Sequence, residues 1–250
     1  MSEEGAGTQK IAAFFDVDGT LIPEPSLERR FFCAARQSGA IPVGNYILWA
    51  REALRLLPNG IAATVHGNKR YWSGVRCDQV LQQMETIVFF EEGMERAAWH
   101  ARQGHRIVLV SGMPEALALL VACAVECELE SRRVGGQVLV CATRMEERDG
   151  RWTGRLLGGA MYGEEKSRAV KRIAQEHRIE LHDSHAYGNT LLDRPMLAAL
   201  GHAHVVNPGR DLAAVANRCD WEIWHWHVEK SLGQSLPLAQ PMRRGGESRA

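Results

Sequence analysis

The stretch Lys10-Ile11-Ala12-Ala13-Phe14-Phe15-Asp16-Val17-Asp18-Gly19-Thr20-Leu21-Ile22, KIAAFFDVDGTLI, decides the fold. Lys10 to Phe15 is a short apolar run without polar alternation, the pattern of a parallel strand buried on both faces. It stops at Asp16, and a second carboxylate, Asp18, follows two positions later. In extended backbone, i and i+2 share a face. Gly19 permits a tight turn that swings the loop back. A carboxylate pair at a strand end suits a hard divalent cation such as magnesium. Such a cation can mask the repulsion between a carboxylate and a phosphate, so that one attacks the other. Asp16 then reads as the nucleophile, forming an aspartyl-phosphate. Asp18 reads as the acid that protonates the leaving oxygen and the base that later activates water. An Asp- and Gly-rich turn is the bland alternative. A calcium loop is disfavoured because the apolar flanks replace the further oxygen ligands it needs.

Working outward, Pro23 and Pro25 interrupt regular structure. Ser26 can cap a helix with Glu28 in its first turn and Leu27, Phe31, Ala34 and Ala35 on one face. A second helical stretch runs from about Val43 to Leu57 and ends at Pro58-Asn59-Gly60. Asn68 to Phe90 reads as further short helices. No strand pattern occurs between Ile22 and His105, so this segment reads as a helical insertion.

Beyond it, Glu92 to Gln103 is amphipathic and stopped by Gly104. Arg106 to Val110 (RIVLV) is a second buried strand ending in Ser111-Gly112. Pro114 suits the first turn of the helix that follows, to about Glu126. Gln137 to Met145 and Arg151 to Leu157 flank Asp149-Gly150, a hairpin signal. Glu164 to His177 is helical, with Lys166 in its first turn. Ser184 to Tyr187 and Ala203 to Asn207 are further strand candidates, a helix to about Arg218 follows, and Trp221 to Trp224 is a candidate edge strand. Strands alternating with helices specify an α/β fold with a mainly parallel sheet. In such sheets ligands sit beyond the carboxyl ends of the strands, and Asp16, Ser111 and Asn189 each follow one.

The 250 residues suit one large domain or a core with an insertion. Lys plus Arg and Asp plus Glu are both 30, for a net charge of zero, which gives no sign of a nucleic-acid or anionic-membrane partner. Met1 to Gln9 lacks the basic start and apolar stretch of a signal peptide, and Ala116 to Val125 is too short to span a bilayer, so a cytoplasmic protein is expected. Cys123 and Cys127 share a helix face and could hold part of a metal site; the apolar run LLVACAVEC favours buried inert thiols. His225 and His227, alternating with Trp224 and Trp226, could bind metal, but a terminal strand with Trp packed inward is the simpler reading. Residues 229–250 read as a frayed polar tail.

These residues together resemble the haloacid dehalogenase-like phosphatases. Asp16-Val17-Asp18-Gly19-Thr20-Leu21-Ile22 resembles the first motif of that family, Ser111 the hydroxyl of the second, Lys166 the lysine of the third, and Gly188-Asn189-Thr190-Leu191-Leu192-Asp193 the acidic fourth. The resemblance extends over about residues 10 to 225. The helical insertion is similar to the cap of subclass IB, which contains the phosphoserine phosphatases. It implies a Rossmann-like parallel sheet flanked by helices, built from residues 1–22 and 90–228, with a C1-type helical cap at 23–89.

The resemblance implies a magnesium-dependent phosphatase acting on a small phosphate monoester, with Asp16 and Asp18 catalytic. Ser111, Gly112 and Lys166 would hold the phosphoryl oxygens. Asp16, Asp18, Asn189 and Asp193 would form the metal site, Asp193 orienting metal-bound water or the lysine. The family usually has Asp where this chain has Asn189, which removes one negative charge and implies weaker metal binding. A catalytically impaired phosphoryl-ligand binder is therefore one alternative, and a phosphotransferase using the same motifs is another. In the cap, Asn68-Lys69-Arg70-Tyr71-Trp72 places two cations beside two aromatics, as a substrate reader or as an ordinary helix with a solvated cationic face. The glutamate that reads the substrate amine in phosphoserine phosphatases aligns with Pro25, one residue after Glu24. Glu24, Lys69, Arg70 and Tyr71 are accordingly the candidate specificity residues.

Overall fold

The computed structural model describes residues 10–76, 78 and 87–227. Strand β1 (Ala12–Phe15) is fully buried. β2 (Arg106–Pro114) and β6 (His185–Gly188) pair parallel to it on either side, Phe15 lying opposite Leu109 and Tyr187. With β3 (Val138–Thr143), β7 (His202–Val206) and β8 (Glu222–Trp224) the sheet reads β3-β2-β1-β6-β7-β8, every pair parallel. The first strand thus stands at the centre, where the order reverses direction. That is the crevice where open α/β sheets bind ligands, and Asp16 sits at its mouth.

The two-residue alternation divides the core. Ala13, Phe15 and Val17 face one layer with α4 (Glu91–Arg102) and α5 (Glu115–Ser131). Ala12 and Phe14 face the other with α6 (Glu164–His177), α7 (Arg194–Leu197) and α8 (Arg210–Arg218). The chain is the Rossmann-like α/β protein that the sequence implies.

The inserted segment is helical. α1 (Leu27–Gln37) buries Leu27, Phe31 and Ala35, and the Ser26 hydroxyl accepts from the Arg29 N–H at its start. α2 (Gly44–Leu56) and α3 (Ile61–His66) follow. Asn45 is buried, and its amide donates to the carbonyls of Tyr71 (2.9 Å) and Ser73 (2.6 Å), which pins α2 to the returning chain. Of the stretch Asn68 to Phe90, the described residues form a 3₁₀ turn at Arg70–Trp72; the expected helices between 79 and 86 lie outside the described residues, as do Cys77 and the tail 229–250.

Three local expectations change, and the expected terminal edge strand is present. The hairpin closes between β4 (Met145–Arg148) and β5 (Arg151–Leu156) alone, because Val138–Thr143 is drawn into the main sheet by pairing with β2. The hairpin packs on the inserted segment: Trp152 lies 5.5 Å from the Trp72 ring, and Gly154 (φ +72°) comes so close that a Cβ would lie 3.0 Å from Arg70 Cα. β2 runs on through Pro114 with a register shift after Ser111, so α5 starts at Glu115 and Pro114 precedes it. Cys123 and Cys127 are exposed, since α5 turns Leu117, Val121, Val125 and Leu129 to the core and the two cysteines away from it. β8 ends at Trp224; Trp226 is buried against Gly93, while His225 and His227 are exposed. No helix among the described residues is long and apolar enough to cross a membrane.

Candidate active site

Asp16 is held by the sheet itself, its N–H donating to the Tyr187 carbonyl at 2.9 Å. Its side chain is buried. Oδ1 accepts from Lys166 Nζ at 2.5 Å and Oδ2 from the Thr20 hydroxyl at 3.0 Å. Lys166, in the first turn of α6 and 4% exposed, also donates to Asp193 Oδ1 at 2.6 Å. Two carboxylates therefore share one ammonium, and the buried triad carries an excess negative charge. Burial and the Asp193 charge push the Asp16 carboxyl up to about 7, against the lowering by Lys166. Lys166, despite burial, is held above its ordinary range by the two carboxylates.

Asp18 reaches forward instead. Its Oδ1 accepts from the Leu27 N–H at 2.7 Å, at the start of α1. Burial raises its carboxyl to about 6, within the range suited to proton exchange near neutral pH. Gly19 takes φ +78°, and a Cβ there would collide with the Asn189 amide. Glycine at this position is thus required by both the backbone and the neighbouring loop.

Asn189 follows β6 on the same edge. Its Oδ1 is buried and has no hydrogen-bond partner, an arrangement that normally costs stability unless a ligand completes it. With the Asp16 and Asp18 carboxylates it provides an all-oxygen donor set, which fits a hard cation such as magnesium. Asp193 takes up the lysine-orienting part of its expected role. Oδ1 is bound to Lys166, and Oδ2 accepts from the Thr190 N–H (2.9 Å), the Thr190 hydroxyl (2.8 Å) and the Asn189 N–H (3.2 Å). With both oxygens occupied by protein donors, it positions Lys166 and the Asn189 loop.

Ser111 lies two residues past Leu109, the partner of Phe15, so it stands beside the Asp16 end of the sheet. It is buried, and its Oγ accepts from the Met113 N–H at 3.2 Å. Gly112 is fixed by its carbonyl, which accepts from the Thr143 hydroxyl at 2.8 Å. Both belong to the irregular end of β2 and precede α5 by several residues.

The candidate cap residues separate. Lys69 is buried and paired with Glu28 through both carboxylate oxygens (2.6 and 2.5 Å), and the Tyr71 hydroxyl donates to the same carboxylate at 2.5 Å. These three groups line a cavity of about 460 Å³ with Ser26, Phe32 and His66. Because Asp18 is bonded to Leu27, between Ser26 and Glu28, the cavity adjoins Asp18. Glu24 is exposed and does not line it. Arg70 turns toward Glu52 at 3.7 Å. Glu28 was legible only as a first-turn acid of α1; its partners lie more than forty residues on, and three polar groups in Lys69–Trp72 needing one acceptor was the available signal.

A family model described as haloacid dehalogenase-like hydrolase matches residues 13–198. The chain belongs to the haloacid dehalogenase-like hydrolases. Within this family, a Mycobacterium tuberculosis protein named "Probable phosphatase" is 31% identical over 160 residues, 64% of this chain and 52% of that protein. The chain thus spans about half the length of that relative. A phosphoserine phosphatase from Mycobacterium tuberculosis is 26% identical over 257 residues, covering 94% of this chain and 77% of its own. Among solved structures, a Bordetella pertussis Tohama I protein of unknown function superposes with a TM-score of 0.64 at 20% identity, covering 86% of this chain and 98% of that one. A phosphoserine phosphatase in its apo form gives 0.56 at 17% identity, covering 86% and 100%. The overall fold is shared with both structures.

Proposed function

We propose that the chain hydrolyses a small phosphate monoester through an aspartyl-phosphate on Asp16. The observation that carries this reading is the buried Asp16–Lys166–Asp193 triad at the carboxyl end of the central strand, with Lys166 2.5 Å from the attacking carboxylate. Magnesium, held by Asp16, Asp18 and Asn189, would supply charge neutralisation between carboxylate and phosphate. Asp16 attacks phosphorus and the ester oxygen leaves, taking a proton from Asp18. Asp18 Oδ1 is occupied by Leu27, so proton exchange falls to Oδ2. Asp18 then takes a proton from the water that cleaves the acyl phosphate, and the enzyme returns to its starting state. Lys166 balances the charge on the phosphoryl oxygens, while Ser111 and the Gly112 N–H orient them.

Residues 23–89 serve as the cap that chooses the leaving group. The Glu28–Lys69–Tyr71 cluster supports a polar leaving group, and Pro25 at the amine-reading position speaks against phosphoserine itself.

The test is steady-state hydrolysis of p-nitrophenyl phosphate with magnesium, followed by a panel of metabolite phosphates. Turnover that disappears in Asp16→Asn is expected. An acid-quenched, hydroxylamine-sensitive phosphoenzyme should form in the parent only. The uncharged Asn189 favours one competing outcome: phosphate binding without turnover at any magnesium concentration would assign a phosphoryl-ligand binder. Phosphoryl transfer to added alcohols in preference to water would assign a phosphotransferase.

A further inference from the structure

Among the described residues, five histidines converge at the amino ends of β6 and β7, the sheet edge opposite Asp16. His100 lies in the last turn of α4, His105 in the loop leading into β2, His185 opens β6, and His202 and His204 lie on β7. His185 stands four residues before Asn189, so at about 3.3 Å per residue this edge lies roughly 13 Å from the catalytic one. One nitrogen from each of His100, His105 and His185 lies within 4.8 Å of the other two. The closest pair, Nδ1 of His100 and Nδ1 of His105, is 2.9 Å apart. His100 is fully buried, while His105 and His185 are half-buried and give access from solvent.

The groups behind these rings orient them. His100 Nε2 lies 2.8 Å from the Tyr187 hydroxyl, so an Nε2–H donating to the phenol oxygen leaves the Nδ1 lone pair facing His105. His185 Nδ1 is 3.0 Å from His204 Nε2, and His204 Nδ1 is 2.9 Å from a Glu222 carboxylate oxygen. A carboxylate-anchored chain thus fixes the His185 ring. Such outer partners are what aim imidazoles at a bound ion. Arg96 is the cation facing the cluster, and Glu222 is the anion that offsets it.

We propose that His100, His105 and His185 form a site for a divalent transition metal of the zinc class, separate from the oxygen-lined site at Asp16. An all-imidazole donor set favours zinc, nickel or copper over magnesium. Tetrahedral zinc with bonds of about 2.0–2.1 Å needs ligand nitrogens roughly 3.3 Å apart. The 2.9 Å pair therefore opens by a few tenths of an ångström. The hydrogen bond between those two nitrogens is exchanged for two metal bonds, and its proton moves to the other nitrogen of the His105 ring. Three ligands leave a fourth position for water. The ion ties the end of α4, the loop before β2 and the start of β6 to one another, so its chief effect is on stability.

The experiment uses the full chain without a histidine tag, stripped with chelator and titrated with zinc or cobalt(II) in excess magnesium, which occupies the oxygen site. One zinc per chain, a raised Tm and an intense visible cobalt spectrum of four-coordinate nitrogen ligation are expected. His105→Gln and His185→Gln should each weaken binding by at least about tenfold, and His182→Gln, an exposed histidine outside the cluster, should leave it unchanged. A folded chain that binds no zinc saturably overturns the proposal, as does equal affinity in the two ligand variants. Should a variant fail to fold, the parent decides alone: a pale, six-coordinate oxygen-type cobalt spectrum overturns the site.

Discussion

Replacing Asp16 by Asn should make the metal-free protein more stable while abolishing turnover. The buried triad holds two carboxylates and one ammonium. Neutralising Asp16 leaves Lys166 and Asp193 as a balanced pair, still 2.6 Å apart. The magnitude follows from the carboxyl being pushed from 3.8 up to about 7. At about 1.4 kcal/mol per tenfold change in proton affinity, ionised Asp16 costs ~4 kcal/mol in the folded state at neutral pH. The sign is opposite to that of an ordinary surface carboxylate. The folded form binds the proton more tightly, so the penalty is complete above about pH 7 and disappears as the pH falls to 3.8. The asparagine amide can keep the Thr20 contact, so a net gain of ~2–4 kcal/mol is expected, or roughly 5–10 °C in Tm for a chain of this size. Thermal unfolding in chelator across this pH range measures it. Saturating magnesium should narrow the gap, because a ligand at a hundred times its Kd adds about 2.7 kcal/mol to the parent. Lys166→Met should act in the opposite direction and cost about 3–5 kcal/mol, since it leaves two carboxylates buried without their partner. An Asp16→Asn protein less stable than the parent in chelator at neutral pH would refute the excess-charge reasoning.

Asn189→Asp should tighten magnesium binding by restoring one anionic oxygen beside Asp16 and Asp18, read as a lower half-saturating magnesium concentration for hydrolysis; an unchanged or higher value would place Asn189 away from the metal. Glu28→Gln should destabilise the chain by about 3 kcal/mol by stranding the buried Lys69 ammonium, and should raise KM more than it lowers kcat if the cavity binds the leaving group; an unaltered urea midpoint would show that Lys69 finds another partner. In the metal-free chain, His100, His185 and His204 are held below 6.5, chiefly by burial. Their unfolded forms take up protons first, so this contribution is complete above 6.5 and is lost as the pH falls toward about 4. The raised carboxyls of Asp16 and Asp18 work in the opposite direction, so the readout is the difference in urea midpoint between the parent and His185→Gln. The parent's advantage should shrink on acidification, and a constant difference would contradict the depressed His185 value.

Much of the fold was legible because its signals are local. The runs KIAAFF and RIVLV are apolar without alternation, which marks strands buried on both faces, and both are interior strands of the sheet. Carboxylate spacing at Asp16 and Asp18, together with the order of Ser111, Lys166 and Asp193, pointed to the sheet edge where Asp16, Lys166 and Asp193 meet. Turn chemistry at Asp149-Gly150 located the β4–β5 turn but not its true length, since Val138–Thr143 is claimed by a distant strand whose pull no local pattern records.

Sequence by itself determined the strand-end carboxylates, the parallel α/β class and the presence of a helical insertion, because backbone periodicity and side-chain chemistry are encoded residue by residue. Only the tertiary structure decided who partners whom. It gave Asp193 to Lys166 and the Asn189 loop, put Glu28 rather than Glu24 among the cap side chains, exposed Cys123 and Cys127, and gathered His100, His105 and His185 at one sheet edge. Those pairings depend on distances between residues far apart in the chain, and electrostatic and hydrogen-bond energies follow distance and burial, which only folding sets.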